Sequence, residues 1–174
     1  MTTLVRSVTS EHDALVAFVA EQRAVLRRSV HGLGDDRLRA TPSASALSLG
    51  WLLKHAEEVE RYWLAVARCS PLATKQNPVL LDGDTVDSVV AALDTQGKLT
   101  DEAIRGFDLD QQVDIAGINS IIPGGTMRSI RWIVLHLIQE HGRHAGHADI
   151  IRESLDGAVA IDLVMATGTP VFPE

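Results

Sequence analysis

Cysteine is nearly absent from this chain: Cys69 is the only one among 174 residues. No internal disulfide can form, a structural zinc site built on thiolates is excluded, and a reducing cytoplasm is the natural setting. Positive charge is also in short supply, with 16 Lys+Arg against 23 Asp+Glu and a formal net charge of -7. The chain therefore has no general attraction for a phosphate backbone or an anionic membrane surface, and nucleic acid is not an expected partner. No apolar run approaches the ~20 residues of a membrane span. The N-terminal MTTLVRSVTSEHDALVAFV places one Arg before a short apolar run broken by Glu11 and Asp13, which does not make a signal peptide. Repeats and low-complexity tracts are missing as well.

What is present is an ordinary globular composition, 45% hydrophobic and 22% charged, in a length suited to a single domain spanning residues 1–174. Apolar residues recur at helical spacing through Leu15, Phe18, Val19, Val25, Leu26 and Val30, predicting a helix from Ser10 to about Leu33 that stops at Gly32 and Gly34. After a polar connector, a second helix is predicted from about Leu47 to Cys69, with Leu49, Leu52, Ala56, Val59 and Trp63 on one stripe and Ser48 as N-cap. Pro71 and Pro78 bracket an irregular loop. A third helix starts at Asp84 or Thr85 and runs toward Phe107, weakened in its middle by Gly97. Leu109 to Gly125 reads as a long connection that includes a short strand or an ordered loop. The last long helix runs from about Arg128 to Leu155 and stops at Asp156-Gly157. The tail, about 158–174, is apolar in places, which favours an extended return across the bundle or a homodimer contact. The expected architecture is all-α, a four-helix up-down bundle whose sites are built from side chains on facing helices.

Four of the seven histidines lie between His136 and His147, with Glu140 among them. At about 100° per residue, His136, Glu140, His144 and His147 fall within roughly 80° of one another, on the stripe of Ile133 and Ile151 that is expected to face the core. His141 points about 100° away from Glu140 and is expected to face solvent. A glutamate and a histidine at i and i+4 sit one turn apart, the spacing with which one helix offers two ligands to one metal. A carboxylate and several imidazoles on an apolar stripe are costly to bury unpaired, and a divalent cation satisfies them together. The alternative is a metal-free network of Glu and His hydrogen bonds bridging two helices. A third ligand must come from elsewhere, and His55 on the second helix borders the Leu52–Val59–Trp63 stripe. His12, in a first helical turn, and His31, near a helix C-terminus, read as structural or surface residues. Two His and one carboxylate leave positions open for water or substrate.

The segments GWLLKHAEEVERYW and RWIVLHLIQEHGRHAGHADIIRESLDG resemble the DinB/YfiT-like superfamily. The similarity is closest to its actinobacterial branch of mycothiol-dependent maleylpyruvate isomerases and mycothiol S-transferases. Many superfamily members carry His-x-x-x-His on the last helix, and Glu140 at the first of those positions is a feature of this branch. The resemblance implies a zinc site at His55, Glu140 and His144, with His136 and His147 beside it or facing substrate.

The function expected on this basis is S-transfer: a small thiol such as mycothiol binds the metal through sulfur, becomes a thiolate, and attacks an electrophilic substrate, with His147 or His136 managing protons. Zinc is the first choice of metal, and nickel or iron would fit the same ligands. Three rival readings use the same residues. A hydrolase would activate water and need a second carboxylate, Glu57, Glu58 or Glu60, although each of these reads as part of a solvated face. A non-haem iron oxygenase shares the ligand set but belongs to other folds. A non-catalytic binding protein would use the metal to hold the second helix to the last.

Overall fold

The computed structural model describes residues 3–70, 78–115 and 123–174. Each of its four long helices begins at a serine or threonine that accepts a hydrogen bond from the first turn, satisfying a backbone donor that helix geometry leaves free. Ser10 caps α1 (Glu11–Ser29), Ser48 caps α2 (Leu49–Ala67), and Ser129 caps α4 (Ile130–Asp156). At α3 (Val86–Gly106), Thr85 and Ser88 bond reciprocally as a capping box. The end of α4 is Gly157, whose φ of 79° suits a residue without Cβ. The stretches 71–77 and 116–122, in the regions expected to be irregular connections, lie outside the described residues.

The expected all-α four-helix bundle is what forms. Around it, α1 contacts α4 and α3, and α2 contacts α3 and α4, so α1 and α2 stand on one diagonal. The two apolar clusters of the core reveal the directions. One joins Leu15, Val16 and Val19 of α1 to Trp63 and Val66 of α2, Ile104 of α3, and Ile130 to Leu137 of α4. The other joins Leu26 and Val30 to Leu49, Leu52, Leu53 and Ala56, then to Val89, Leu93, Ala148 and Ile151. Hence α2 and α3 run parallel, opposite to α1 and α4. The helix directions are up, down, down, up rather than strictly alternating. Full burial of each Leu or Ile in these clusters contributes about 1.5–3 kcal/mol, so apolar packing dominates the stability of the bundle.

The connection before α4 contains a two-stranded antiparallel ribbon, β1 (Gln112–Asp114) with β2 (Met127–Ser129), whose Val113 seals one end of the core. The tail differs from expectation. It forms a short helix, α5 (Ala160–Ala166), packed on α1 with Leu163 and Val164 buried, and Leu4 N–H bonds back to the Val171 carbonyl. Helical spacing lets Leu163 and Val164 point inward together, which an extended strand could not do.

Candidate metal centre

Two adjacent antiparallel helices, α2 and α4, bring the three expected ligands to one point. His55 Nε2 and His144 Nε2 both face Glu140 Oε1, at 3.6 and 3.3 Å. One donor atom from each residue lies within 4.8 Å of the others. Tetrahedral coordination with bonds of ~2.1 Å spaces donors by about 3.4 Å. The two spacings to Glu140 meet that requirement, and the N,N,O donor set suits a divalent transition metal. The Glu140 carboxyl is held well below the usual carboxylate range, first by its hydrogen bond with His144, then by that with His55, against the opposing effect of partial burial. It is therefore an anion across the physiological range, the state a metal ligand requires.

The surroundings restrict these side chains. Trp51, one turn before His55, stacks on its ring at 4.7 Å and 12°, while the His55 and His144 rings meet edge to face. His147 Nδ1 lies 3.5 Å from His144 Nδ1, the nitrogen turned away from Glu140. His136 is somewhat apart: its ring stacks on Trp132 at 5.2 Å and meets Trp63 edge-on, and burial pushes its pKa down. The sequence signal for Trp51 was its place one turn from His55, a position ordinarily assigned to packing.

Three expectations about faces are overturned. The stripe of His136, Glu140, His144 and His147 lies at the edge of the core rather than facing it, since only His144 of the four is buried. The buried face of α4 runs instead through Leu137, His141, Ala145 and Ala148. His141, expected in solvent, is fully enclosed, and its Nε2 lies 2.8 Å from Glu60 Oε1. Nor do the glutamates of α2 form a solvated face: Glu60 is fully buried and Glu58 nearly so, whereas Glu57 pairs with Arg61. Arg23 Nε of α1 lies 2.8 Å from the same Glu60 oxygen, and its guanidinium also bonds Asp101 of α3. One residue from each long helix thus forms a polar layer between the two apolar clusters. Gly97 leaves the space this layer needs, because a Cβ there would collide with the Arg23 guanidinium.

His12 Nε2 bonds the Phe107 carbonyl and ties α1 to the end of α3, a structural role as expected. A cavity of about 850 Å³ lies between the C-terminal end of α1 and the start of α3 and shares no residue with the candidate metal centre. No described helix is long and apolar enough to cross a membrane.

A conserved protein from Enterococcus faecalis, known from its crystal structure, superposes with a TM-score of 0.66 over 87% of this chain and 100% of its own, at 11% identity. That likeness shows a shared fold and carries no activity with it. No curated protein matches the chain. The family model for mycothiol S-transferases matches residues 14–157, a span that includes all four long helices apart from the first turn of α1. The chain therefore belongs to the mycothiol S-transferase family, in the DinB-like fold.

Proposed function

We propose that this protein is a metal-dependent thiol S-transferase that joins a small thiol, mycothiol in the first instance, to an electrophilic substrate at His55, Glu140 and His144. The observation that carries this reading is the convergence of those three donors within 4.8 Å on two facing helices of a chain in the mycothiol S-transferase family. Zinc is the first choice, with nickel or iron compatible with the same donors. When bound, such a cation lowers the pKa of a thiol from its free value of ~8.5, so that thiolate is available at neutral pH without a protein cysteine.

The side chains have distinct tasks in this scheme. His55, Glu140 and His144 hold the cation. Trp51 fixes the plane of His55 and covers it from water. His147 accepts the Nδ1 proton of His144, which sets the tautomer that presents Nε2 toward Glu140. His136, kept largely neutral by burial, stands one turn from Glu140 as an acceptor for a proton released on thiol binding. Of the carboxylates that a hydrolase would need, Glu57 and Glu60 are engaged in ion pairs.

The test measures metal content and mycothiol binding together, on untagged wild type and His144→Ala. The expected result is one equivalent of metal in the wild type, an affinity reduced at least 100-fold in the variant, and thiol binding only to metal-loaded wild type; loss of a mere outer partner costs about 10–100-fold, so a ligand should exceed that. Metal without thiol binding would reject the transferase in favour of a structural metal. Absence of metal would return these residues to a helix-bridging hydrogen-bond network.

A further inference from the structure

One row of side chains leads away from the candidate metal centre along α4. Trp132, His136, Glu140 and His144 recur every fourth residue, so each stands one turn from the next. The contacts along the row are continuous. The Trp132 ring stacks on His136 at 5.2 Å and 3°, and the guanidinium of Arg128, from β2, sits 5.6 Å from the Trp132 ring centre. Trp63 of α2 backs the row, meeting Trp132 edge-on at 5.9 Å and His136 at 5.0 Å. Trp63 is buried, whereas Trp132 keeps 36% of its surface exposed and Arg128 is exposed to solvent. The row is therefore a surface that a ligand can reach.

Its charge is unusual for a chain with a formal net charge of -7. Arg23, Arg28, Arg131 and Arg152 are each tied to a carboxylate. Arg128 donates to the Met127 carbonyl instead, and among the described residues neither Arg128 nor Arg143 pairs with an acid. Burial chiefly lowers the His136 pKa; Glu140 opposes this and the charge of Arg143 adds to it, so the field of Arg143 reaches the row. A guanidinium beside an indole, with no carboxylate of its own, can take a carboxylate or phenolate while a flat body lies against the rings.

We propose that Arg128, Trp132 and His136 form the subsite for the electrophile, and that the electrophile is an extended aromatic anion. This rests on the S-transferase reading and names the class of its second substrate. Trp132 precedes Glu140 by eight residues, about 12 Å along the helix axis. An electrophile whose reacting carbon meets the thiolate beside Glu140 therefore carries its negative charge at the far end of a planar body. With a haloacetamide on such a body, the thiolate sulfur bonds to the carbon bearing iodine as the C–I bond breaks. Iodide leaves with the bonding pair, and the thiol proton passes through His136 to solvent.

Two measurements on full-length wild type, Arg128→Gln and Trp132→Leu test the subsite. The first is the fluorescence anisotropy of acetamidofluorescein, an unreactive aromatic anion, with zinc-loaded and with metal-free protein. It should bind wild type in both states, about 5-fold less tightly to Arg128→Gln, the scale of one exposed ion pair. Binding to Trp132→Leu should weaken roughly 2- to 10-fold through loss of the ring contact. Added salt should weaken binding to wild type more than to Arg128→Gln. Cationic tetramethylrhodamine acetamide, of similar shape, should bind less tightly than the fluorescein and should not be weakened by Arg128→Gln.

The second measurement, at saturating mycothiol, is the ratio of kcat/KM for iodoacetamidofluorescein to that for iodoacetamide. That ratio should fall in both variants by the same factors. Acetamidofluorescein that does not bind wild type, or binds both variants as tightly, would overturn the subsite; turnover of iodoacetamide in that case leaves the transferase reading intact. A zinc-loaded wild type that joins mycothiol to neither iodoacetamide would overturn the transferase reading, and the assignment of an electrophile with it. Thermal unfolding checks that each variant is folded. Arg128→Gln alters an exposed side chain and decides the matter alone should Trp132→Leu fail to fold.

Discussion

Two clusters of histidine and carboxylate lie on consecutive residues of α4, and they do opposite things. Glu140 and His144 meet His55 at the edge of the bundle, partly open to solvent, and among the described residues no lysine or arginine pairs with Glu140. His141 meets Glu60 in the middle of the core, where Arg23 and Asp101 complete the set. The difference is the source of positive charge. In the interior an arginine from α1 balances the acids, so the layer is closed and has neither room nor need for an ion. At the edge the acid is shared by two imidazoles alone, and a divalent cation fits among the three. A His–carboxylate pair becomes a candidate metal site when the fold withholds an arginine from it.

Disrupting the interior layer should produce the largest effect. Glu60→Ala leaves Arg23 buried beside a single acid, and removing one partner of a buried pair costs about 3–5 kcal/mol, a large share of the 5–15 kcal/mol that holds a domain together. Chemical denaturation should register that loss, while metal stoichiometry of the folded fraction stays at the wild-type value. A loss of metal with unchanged stability would mean the two clusters are one site.

Gly97→Ala probes the same layer from α3 and should have an intermediate effect. Helix propensity alone favours alanine by up to ~1 kcal/mol, but the new methyl meets an Arg23 side chain pinned by two acids. Overpacking costs about 1–3 kcal/mol, so the net change should be destabilising. A rise in the melting temperature would show that Arg23 moves aside freely.

The edge cluster should respond least, and through pH. In metal-free protein the folded-state pKa of Glu140 is depressed by His144 and His55. Its contribution is therefore present above the unfolded value of ~4.3 and is lost as pH falls below it. Glu140→Gln should narrow its stability difference from wild type as pH drops from 6 to 3, with a total change of up to about 1 kcal/mol for such a half-exposed pair. A difference that does not vary with pH would show that the carboxylate is not held by its neighbours.

Much of the bundle was legible in order of residues. Caps at Ser48 and Thr85, the stop at Gly157 and the spacing of Leu49, Leu52 and Ala56 are local signals, and each marks its helix to within a few residues. The Glu140–His144 pair was legible for a related reason, because an i and i+4 pair on one helix is a local arrangement that any helix delivers. Which face of α4 turns inward was not. Ile133 and Ile151 are compatible with either of two overlapping arcs, and choosing the one through His136 and Glu140 placed His141 outside. The alternative arc through Leu137, His141 and Ala148 carries an equal apolar signal, and only the position of α1 and α2 against it selects that arc.

The sequence by itself therefore determined the helices, their ends, the class of fold and the pairing of Glu140 with His144, since these depend on residues within one or two turns of each other. Tertiary structure decided the parallel course of α2 and α3, the burial of Glu60 and His141, the helical docking of the tail on α1, and the meeting of His55 with α4. Each of those depends on contacts between residues far apart in the chain, where the sign of a neighbouring charge or the space left by Gly97 is set by packing and not by periodicity.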